Sequence, residues 1–407
     1  MPDIAIIGAG PAGLIAAERL AGAGHRVTIH ERMTSPARKF LLAGRGGLNL
    51  THAEPFDAFL GRYREAKDWL EPALRVFPPQ ALREWADGLG AETFVGSSGR
   101  IFPRSMKASP LLRAWLGRLD GLGVRLASGR LWTGWNADGA LSFRLASGET
   151  EMARPDAALL ATGGASWPRL GSDGGWAPLL EGRGVAVSPL RPANGGFTIA
   201  WSALMKERFA GQPLKRIVIR FGGEEAAGEA MIDAQGIEGG AVYALSALIR
   251  EAIRRDGAAV VAVDLRPDLA PGDLAIRLAK RRKGETLSNH LRKAAGLSPA
   301  ATALLREAAG AGLPAEPETL AALIKAAPLR LDAPMPIART ISTAGGIMRD
   351  EVDQGFMLKR LPGVFAAGEM LDWEAPTGGY LLQASFATGV AAAAGINDWL
   401  QRSRQPA

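Results

Sequence analysis

The sequence has no cysteine and only four histidines in 407 residues. The lack of cysteine excludes disulfides, thiolate metal sites, iron–sulfur clusters and covalent thiol catalysis, and also the dithiol relay that disulfide reductases need. The histidines are His25, His30, His52 and His290, and no pair of them has the spacing of metal ligands. We therefore expect no metal site, and in particular no zinc enzyme.

The sequence also lacks an apolar run long enough to span a membrane, and its first predicted strand follows Met1 too closely for a signal peptide. We therefore expect a cytoplasmic protein. Its 47% hydrophobic and 22% charged residues are ordinary for a globular chain of two or three domains. The net charge of +7 predicts a polyanionic large partner, with nucleic acid the obvious candidate, but the residue bias of a GC-rich genome explains the charge equally well.

The N-terminal segment carries the motif of a dinucleotide-binding fold. An apolar strand at 4–7 is followed by Gly8, Gly10 and Gly13 in the G-x-G-x-x-G spacing, then by a helix and a second strand that ends on Glu31. The first glycine permits the tight turn, the second lets the backbone approach a pyrophosphate, and the third lets the helix pack close to the strand. The acidic residue can accept hydrogen bonds from ribose hydroxyls, and it would repel the 2′-phosphate of NADP.

Four further Gly-rich, polar segments lie at the ends of predicted strands, at 37–52, 156–166, 342–347 and 363–385. The first, here called the flavin loop, suits close approach to a flat ligand and its phosphate or ribitol. The second is an apolar strand that opens into Thr-Gly-Gly, and the third resembles it or is a plain turn. In the fourth, a helix from about Tyr380 to 395 follows paired glycines, so its positive end is available to the pyrimidine side of a flavin.

Together these segments resemble the FAD domain of glutathione-reductase-type flavoproteins. More narrowly, the chain resembles the BaiN/RdsA-like (YhiN-like) family of NAD(P)/FAD-dependent oxidoreductases over nearly its full length. The motifs that carry this resemblance are Arg38-Lys39 with 44–51, then 161–164, Gly345-Gly346 before 350–352, 367–372 and 377–380.

The resemblance implies an α/β fold in which a glutathione-reductase-like Rossmann FAD-binding domain is interrupted by an inserted β-barrel-like subdomain and a helical subdomain. Pro- and Gly-rich patches at 188–196 and 331–336 agree with such boundaries. The expected domains are 1–188 with 337–407 for FAD binding, 189–266 for the β subdomain and 267–336 for the helical subdomain.

The implied cofactor is FAD, with NADH or NADPH as a transient electron donor, because no second G-x-G-x-x-G follows a strand. The residues expected to bind FAD are Gly8, Gly10, Pro11, Ala12, Gly13, Glu31, Arg32, Lys39, Gly44, Gly46, Gly47, Asn49, Thr51, Thr162, Gly163, Gly164, Gly368, Glu369, Gly378, Gly379, Tyr380 and Leu381. Tyr380 is also the candidate catalytic proton donor, with packing against the flavin ring as the alternative.

The flavin loop departs from the family pattern, in which many relatives have Gly-Gly-Gly-Arg-Cys-Asn. Here Leu48 stands at the position of the Cys and Gly47 at that of the Arg. The chain is therefore expected to form a distinct branch, in which the thiol is dispensable or the chemistry has changed.

The resemblance implies a reductase that adds hydride from flavin N5 to an activated C=C bond. It offers two substrate classes: a uridine in ribosomal RNA, reduced to dihydrouridine, and a small enone such as a steroid. We expect the RNA base slightly more because of the positive charge, with Arg100–Lys107 as a basic loop and Arg277–Lys283 as a solvated helix end. A flavin-carrying RNA-binding or assembly factor with structural FAD is the third alternative.

Overall fold

The computed structural model describes residues 1–403, which form two compact units. The first unit consists of Met1–Arg191 together with the chain from Ser342 onwards, and the second is Pro192–Ile341. The unit boundaries therefore fall at 191/192 and 341/342, beside the expected boundaries at 188/189 and 336/337. No helix in residues 1–403 is both long and apolar enough to cross a membrane.

The first unit contains most of the short strands and the helices that cover them. Up to residue 193 the strands are Asp3–Ile7 (β1), Arg26–Glu31 (β2), Thr51–His52 (β3), Phe94–Val95 (β4), Arg100–Phe102 (β5), Arg125–Ser128 (β6), Arg130–Trp135 (β7), Leu141–Leu145 (β8), Thr150–Ala153 (β9), Ala157–Leu160 (β10) and Val187–Ala193 (β11). The helices are Pro11–Gly22 (α1), Arg38–Ala43 (α2), Phe56–Gly61 (α3), Lys67–Val76 (α4), Pro79–Asp87 (α5), Ala108–Gly121 (α6) and Ala177–Glu181 (α7).

The second unit alternates strands and helices, and the chain then returns to the first unit. The strands of the second unit are Phe197–Thr198 (β12), Pro213–Phe221 (β13), Glu224–Asp233 (β14), Gly236–Glu238 (β15), Ala259–Asp264 (β16), Ala327–Leu331 (β17) and Ala333–Pro334 (β18). Its helices are Ala203–Arg208 (α8), Gly240–Ala244 (α9), Ser246–Asp256 (α10), Pro271–Leu278 (α11), Leu287–His290 (α12), Pro299–Ala309 (α13) and Pro317–Lys325 (α14). The returning chain forms Ser342–Ile347 (β19), Val364–Ala366 (β20) and Tyr380–Arg402 (α15).

A five-stranded parallel sheet in the order β20-β10-β1-β2-β6 forms the centre of the first unit. Strands β1, β10 and β20 are almost entirely apolar, as is usual in a buried parallel sheet. Strand β2 contacts β7, and its His30 stacks on Phe143 of β8. Helix α1 begins at Pro11, whose fixed φ suits a first helical position. Two glycines permit close packing here: a Cβ on Gly13 would overlap the carbonyl oxygen of Gly8, and a Cβ on Gly389 of α15 would lie 2.5 Å from the carbonyl oxygen of Ala12.

The second unit contains a seven-stranded sheet in the order β17-β16-β13-β14-β15-β12-β18. Only Asp332 separates β17 from β18, so the strands at the two edges are nearly continuous in the chain and the sheet is barrel-like. Strand β17 lies in the expected helical subdomain, but it pairs antiparallel with β16 of the expected β subdomain. One core contains Val261, Leu304 and Ile324, since the short helices bury their apolar faces on the sheet.

Candidate functional site

A cavity of about 530 Å³ lies in the first unit, at the carboxyl ends of β1, β2, β10 and β20. Ligands of doubly wound α/β sheets bind at this edge. The predicted FAD residues in its wall are Gly8, Gly10, Pro11, Ala12, Glu31, Arg32, Lys39, Thr162, Gly163, Gly368 and Glu369. The structure thus brings residues from four separate sequence segments to one cavity.

The glycine turn after β1 has two distinct positions. Gly8 has φ +105°, and a Cβ there would overlap the carbonyl of Ala161, so the turn itself requires glycine. At Gly10, by contrast, a Cβ would meet no described atom within 4 Å. Gly10 is the N-cap of α1, with no side-chain cap and no acidic residue in the first turn. Within residues 1–403, therefore, no side chain caps the first amides of α1, as a pyrophosphate site requires.

Glu31 lies at the end of β2 and is 9% exposed. Its carboxylate accepts hydrogen bonds from the amides of Ala9, at 2.9 Å, and Met33, at 2.8 Å. Burial raises the pKa of Glu31, and these two hydrogen bonds counter part of that rise. Because a carboxylate has about four acceptor sites, two backbone bonds leave capacity for ribose hydroxyls.

Arg32 lines the same cavity, and its guanidinium forms an ion pair with Asp173 at 2.5 Å. Burial acts to raise the pKa of Asp173, but the hydrogen bonds from Arg32 and from the Gly175 amide lower it by more, so this carboxyl stays charged. The Arg32 head group is therefore engaged by a protein carboxylate, a partner that its sequence position did not predict.

Lys39 and Glu369 contact each other, although each was predicted as a cofactor ligand. The Lys39 Nζ lies 2.7 Å from Glu369 Oε2 and 2.7 Å from Ser166 Oγ. Glu369 Oε1 also accepts the amide of Thr343 at 3.0 Å. Gly164 lies behind this pair rather than in the cavity wall, because a Cβ there would overlap the Thr343 side chain. Ser166 and Thr343 therefore belong to the site; they lie in the second and third Gly-rich segments but were not predicted as ligands.

The flavin loop meets the start of α15 at Gly379. This glycine has φ +96°, and a Cβ there would lie 2.5 Å from Thr51 Cα. Thr51 is fully buried, and its Oγ1 has no hydrogen-bond partner among the described residues; the same holds for Asn49 Oδ1. Buried polar atoms are usually paired, so these two atoms fit a polar ligand at this junction. The neighbouring Gly378 has φ +137°.

Two other glycines of the loop pack closely. Gly44 packs on Ala108, and a Cβ on Gly47 would lie 2.7 Å from Met106 Cε, whereas a Cβ on Gly46 would meet no described atom within 4 Å. Leu48 is completely buried, so the side chain at the position of the family Cys belongs to the core here. The remaining predicted ligand, Leu381, packs partly buried against the same core.

Tyr380 is 4% exposed, and its hydroxyl donates to Glu54 Oε1 at 2.5 Å. Burial and the hydrogen bond to Glu54 raise the pKa of Tyr380 far above its usual value. Loss of the phenolic proton would place a tyrosinate beside a carboxylate that Arg62 already holds at 2.7 Å. The geometry therefore argues against the predicted role of Tyr380 as proton donor to a substrate.

One wall of the cavity lies outside the predicted ligand segments and is formed by β7, β8 and the loop before α7. Trp132, Arg130, Ser172 and Trp176 all line the cavity there, and Trp176 Nε1 donates to the carbonyl of Gly163 at 2.8 Å. No motif marks these residues. The one sequence feature that points to this wall is His30, which precedes Glu31 in β2. His30 also lines the cavity, and its ring stacks on Phe143 of β8.

Stability at mildly acidic pH should depend on His30. Burial, with Arg130 and Arg125 nearby, lowers the His30 pKa to about 4, so the unfolded chain binds more protons between pH 6.5 and 4 and stability falls as pH falls through this window. His30→Phe keeps a ring against Phe143, at a centroid distance of 4.1 Å in the native pair, but does not titrate. From pH 7 to 5 we expect the variant to lose about 1–2 kcal/mol less unfolding free energy than the native protein. Urea unfolding at both pH values measures the difference, and equal losses would contradict this assignment.

The parallel sheet, the glycine turn, the acid at the end of β2 and the uncapped α1 define an FAD-binding fold of the Rossmann type. The chain belongs to the HI0933-like protein family, whose Rossmann-domain model matches residues 2–395. It is thus an FAD-dependent flavoprotein oxidoreductase.

A curated relative is similar over almost the whole chain. The 3-dehydro-bile acid delta(4,6)-reductase of Clostridium scindens is 27% identical over 426 residues, which cover 96% of this chain and 97% of that protein. Among solved structures, a 3-ketosteroid delta1-dehydrogenase of Sterolibacterium denitrificans has a TM-score of 0.52 at 14% identity, covering 98% of this chain and 99% of that one. A Mycobacterium smegmatis Sdh1 complex has a TM-score of 0.50 at 15% identity, covering 100% of this chain and 69% of that one. These two structures support the fold alone.

Proposed function

We propose that the protein reduces an activated C=C bond in a steroid-like enone, using NADH or NADPH as the reductant. The observation that carries this proposal is the similarity over 96% of the chain to a reductase whose name specifies an unsaturated 3-dehydro-bile acid. The cofactor cavity and the Gly379–Thr51 junction supply the physical basis for FAD in the same chain. In the net reaction, the nicotinamide loses a hydride, and that hydride and one proton add across the C=C bond.

The chain's own residues hold the cofactor at separate points. The first amides of α1, after Gly10, would bind the pyrophosphate, and Glu31 would accept a hydrogen bond from a ribose hydroxyl. Lys39 and Glu369 would contact the ribitol, and the positive end of α15 would face the pyrimidine side of the ring. Bound FAD supplies the two-electron carrier between the nicotinamide and the substrate.

The enone alternative takes precedence over the expected ribosomal uridine. The preference for RNA rested on the net charge of +7, and the relative that matches nearly the whole chain is named for a bile acid. The predicted solvated helix end follows α11, where Arg281 donates to the carbonyl of Glu285 at 2.8 Å. Phosphate contacts alone carry no base specificity, so basic residues there do not distinguish an RNA substrate.

The two substrate classes separate in one product assay. Purified holoprotein is incubated with NADH or NADPH and either a 3-keto steroid carrying conjugated C=C bonds or unmodified ribosomal RNA, and the products are analysed by mass spectrometry. We expect the steroid to gain two hydrogen atoms and the RNA to remain unchanged. Dihydrouridine in the RNA with an unchanged steroid would reverse the assignment. A flavin that neither nicotinamide reduces would favour a structural role for FAD.

A further inference from the structure

Glu54 connects three separate parts of the first unit. It follows β3 at the end of the flavin loop, and its side chain is 11% exposed. Its Oε1 accepts the Tyr380 hydroxyl at 2.5 Å, and its Oε2 lies 2.7 Å from Arg62 Nη2. The carboxylate thus joins the flavin loop to the chain after α3 and to the first residue of α15.

Tyr380 is held at its backbone as well as at its side chain. The fully buried Tyr63 donates its hydroxyl to the carbonyl oxygen of Tyr380 at 2.8 Å. The Tyr380 ring packs between Phe59, at a centroid distance of 5.0 Å, and His52, at 5.6 Å. The start of α15 consequently has little freedom to move while the Glu54 contacts last.

The residue before Tyr380 shows why this restraint matters. Gly379 approaches the backbone of Thr51 so closely that even a methyl group would not fit between them. Thr51 Oγ1, buried and unpartnered among the described residues, lies at the same junction. A small shift of the α15 start would therefore alter both the junction and the direction of the first helical amides.

We propose that Glu54, Arg62 and Tyr380 are positioning residues that fix the start of α15 against the flavin loop and thereby set the retention and the reduction potential of bound FAD. The proposal rests on the FAD-binding part of the proposed function and is independent of the substrate. Helix amides and the positive helix end stabilise the negative charge of a reduced flavin only when they are aligned with it. Loosening the helix start weakens that stabilisation and lowers the potential.

Glu54→Gln tests the cluster in the FAD-loaded protein. The change keeps the shape of the side chain but removes the charge that pairs with Arg62. We expect FAD to dissociate about tenfold faster and the preference for reduced flavin to fall about tenfold, which corresponds to about 30 mV for a two-electron couple. The matched control is Glu71→Gln, which removes the carboxylate from an exposed ion pair with Arg75 on α4, at 2.6 Å. The control should behave as the native protein does.

The potential is measured by equilibration with redox dyes during chemical reduction, so neither steroid nor nicotinamide is needed. A folded Glu54→Gln protein with native FAD retention and native potential would overturn the proposal, whereas failure of steroid reduction with these shifts present would affect only the substrate assignment. If Glu54→Gln does not fold, Tyr380→Phe tests the proposal instead, because it keeps the packed ring and removes only the hydroxyl. We expect it to change FAD dissociation and the reduction potential in the same direction, but by less. An unchanged potential in Tyr380→Phe, with substrate reduction slowed about 10²-fold or more, would instead identify a proton donor.

Discussion

Replacing Gly10 with alanine should weaken FAD binding roughly tenfold to a hundredfold, while the apoprotein stays as stable as the native one. Gly10 has φ −85°, which alanine adopts without strain, and its Cβ would meet no described atom within 4 Å. That open space lies in the cavity wall, where the backbone must approach a pyrophosphate. A methyl group there would cost about 1–3 kcal/mol of binding as overpacking, and about 1.4 kcal/mol is a factor of ten.

Flavin fluorescence titration of the apoprotein measures the affinity, and urea unfolding of the same preparation measures stability. Gly22→Ala is the matched control, because Gly22 is also in α1 with open space around it but is not in the cavity wall. Native affinity in Gly10→Ala would mean that the pyrophosphate does not approach this turn. A loss of stability without FAD would mean that Gly10 serves the fold rather than the ligand.

Gly8→Ala should have the opposite profile, destabilising the apoprotein by about 3 kcal/mol or more. Gly8 has φ +105°, and a Cβ there would overlap the carbonyl oxygen of Ala161 and lie 2.8 Å from its carbon. The Ala161 carbonyl follows β10 directly and cannot move away without disturbing the pairing of β1 with β10. The strain and the overlap therefore add.

Gly24→Ala separates the cost of backbone strain from the cost of the overlap with Ala161. Gly24 has φ +87° but open space around it, so alanine there carries the backbone strain alone, about 1 kcal/mol. Urea unfolding of both variants gives the comparison. Equal losses in Gly8→Ala and Gly24→Ala would show that the contact with Ala161 does not limit the turn.

The turn between β1 and α1 could be predicted because the residues that specify it are close together in the sequence. The spacing of Gly8, Gly10 and Gly13 predicted the turn between β1 and α1, and the cavity lies at that turn. The predicted α15 ended at Gly395, whereas the helix continues to Arg402. A Cβ on Gly395 would lie 2.9 Å from the carbonyl carbon of Gly355, so this glycine permits close packing and does not end the helix.

The pairings inside the site were not predictable, because they join residues that are far apart in the chain. Lys39 and Glu369 are 330 positions apart and bind each other. Tyr380 and Glu54 are 326 positions apart, and their hydrogen bond changes the chemical role that Tyr380 can play. Sequence spacing identifies which residue types gather near a ligand, but it does not say which of them satisfy one another.

Strand β17 was not predicted for a related reason. Ala327–Leu331 follows a run of short helices and lies inside the expected helical subdomain. Its alternating burial belongs to a strand that pairs with β16, whose residues precede it by more than sixty positions. The partner strand, rather than local propensity, determines this element.

The central claim is that bound FAD transfers reducing equivalents to an enone. The most direct measurement is the visible spectrum of the chemically reduced holoprotein after anaerobic mixing with a 3-keto steroid that carries conjugated C=C bonds. We predict return of the oxidised flavin bands in a single turnover, together with one equivalent of steroid that has gained two hydrogen atoms. A flavin that stays reduced with this steroid, yet is reoxidised when air is admitted, would contradict the account.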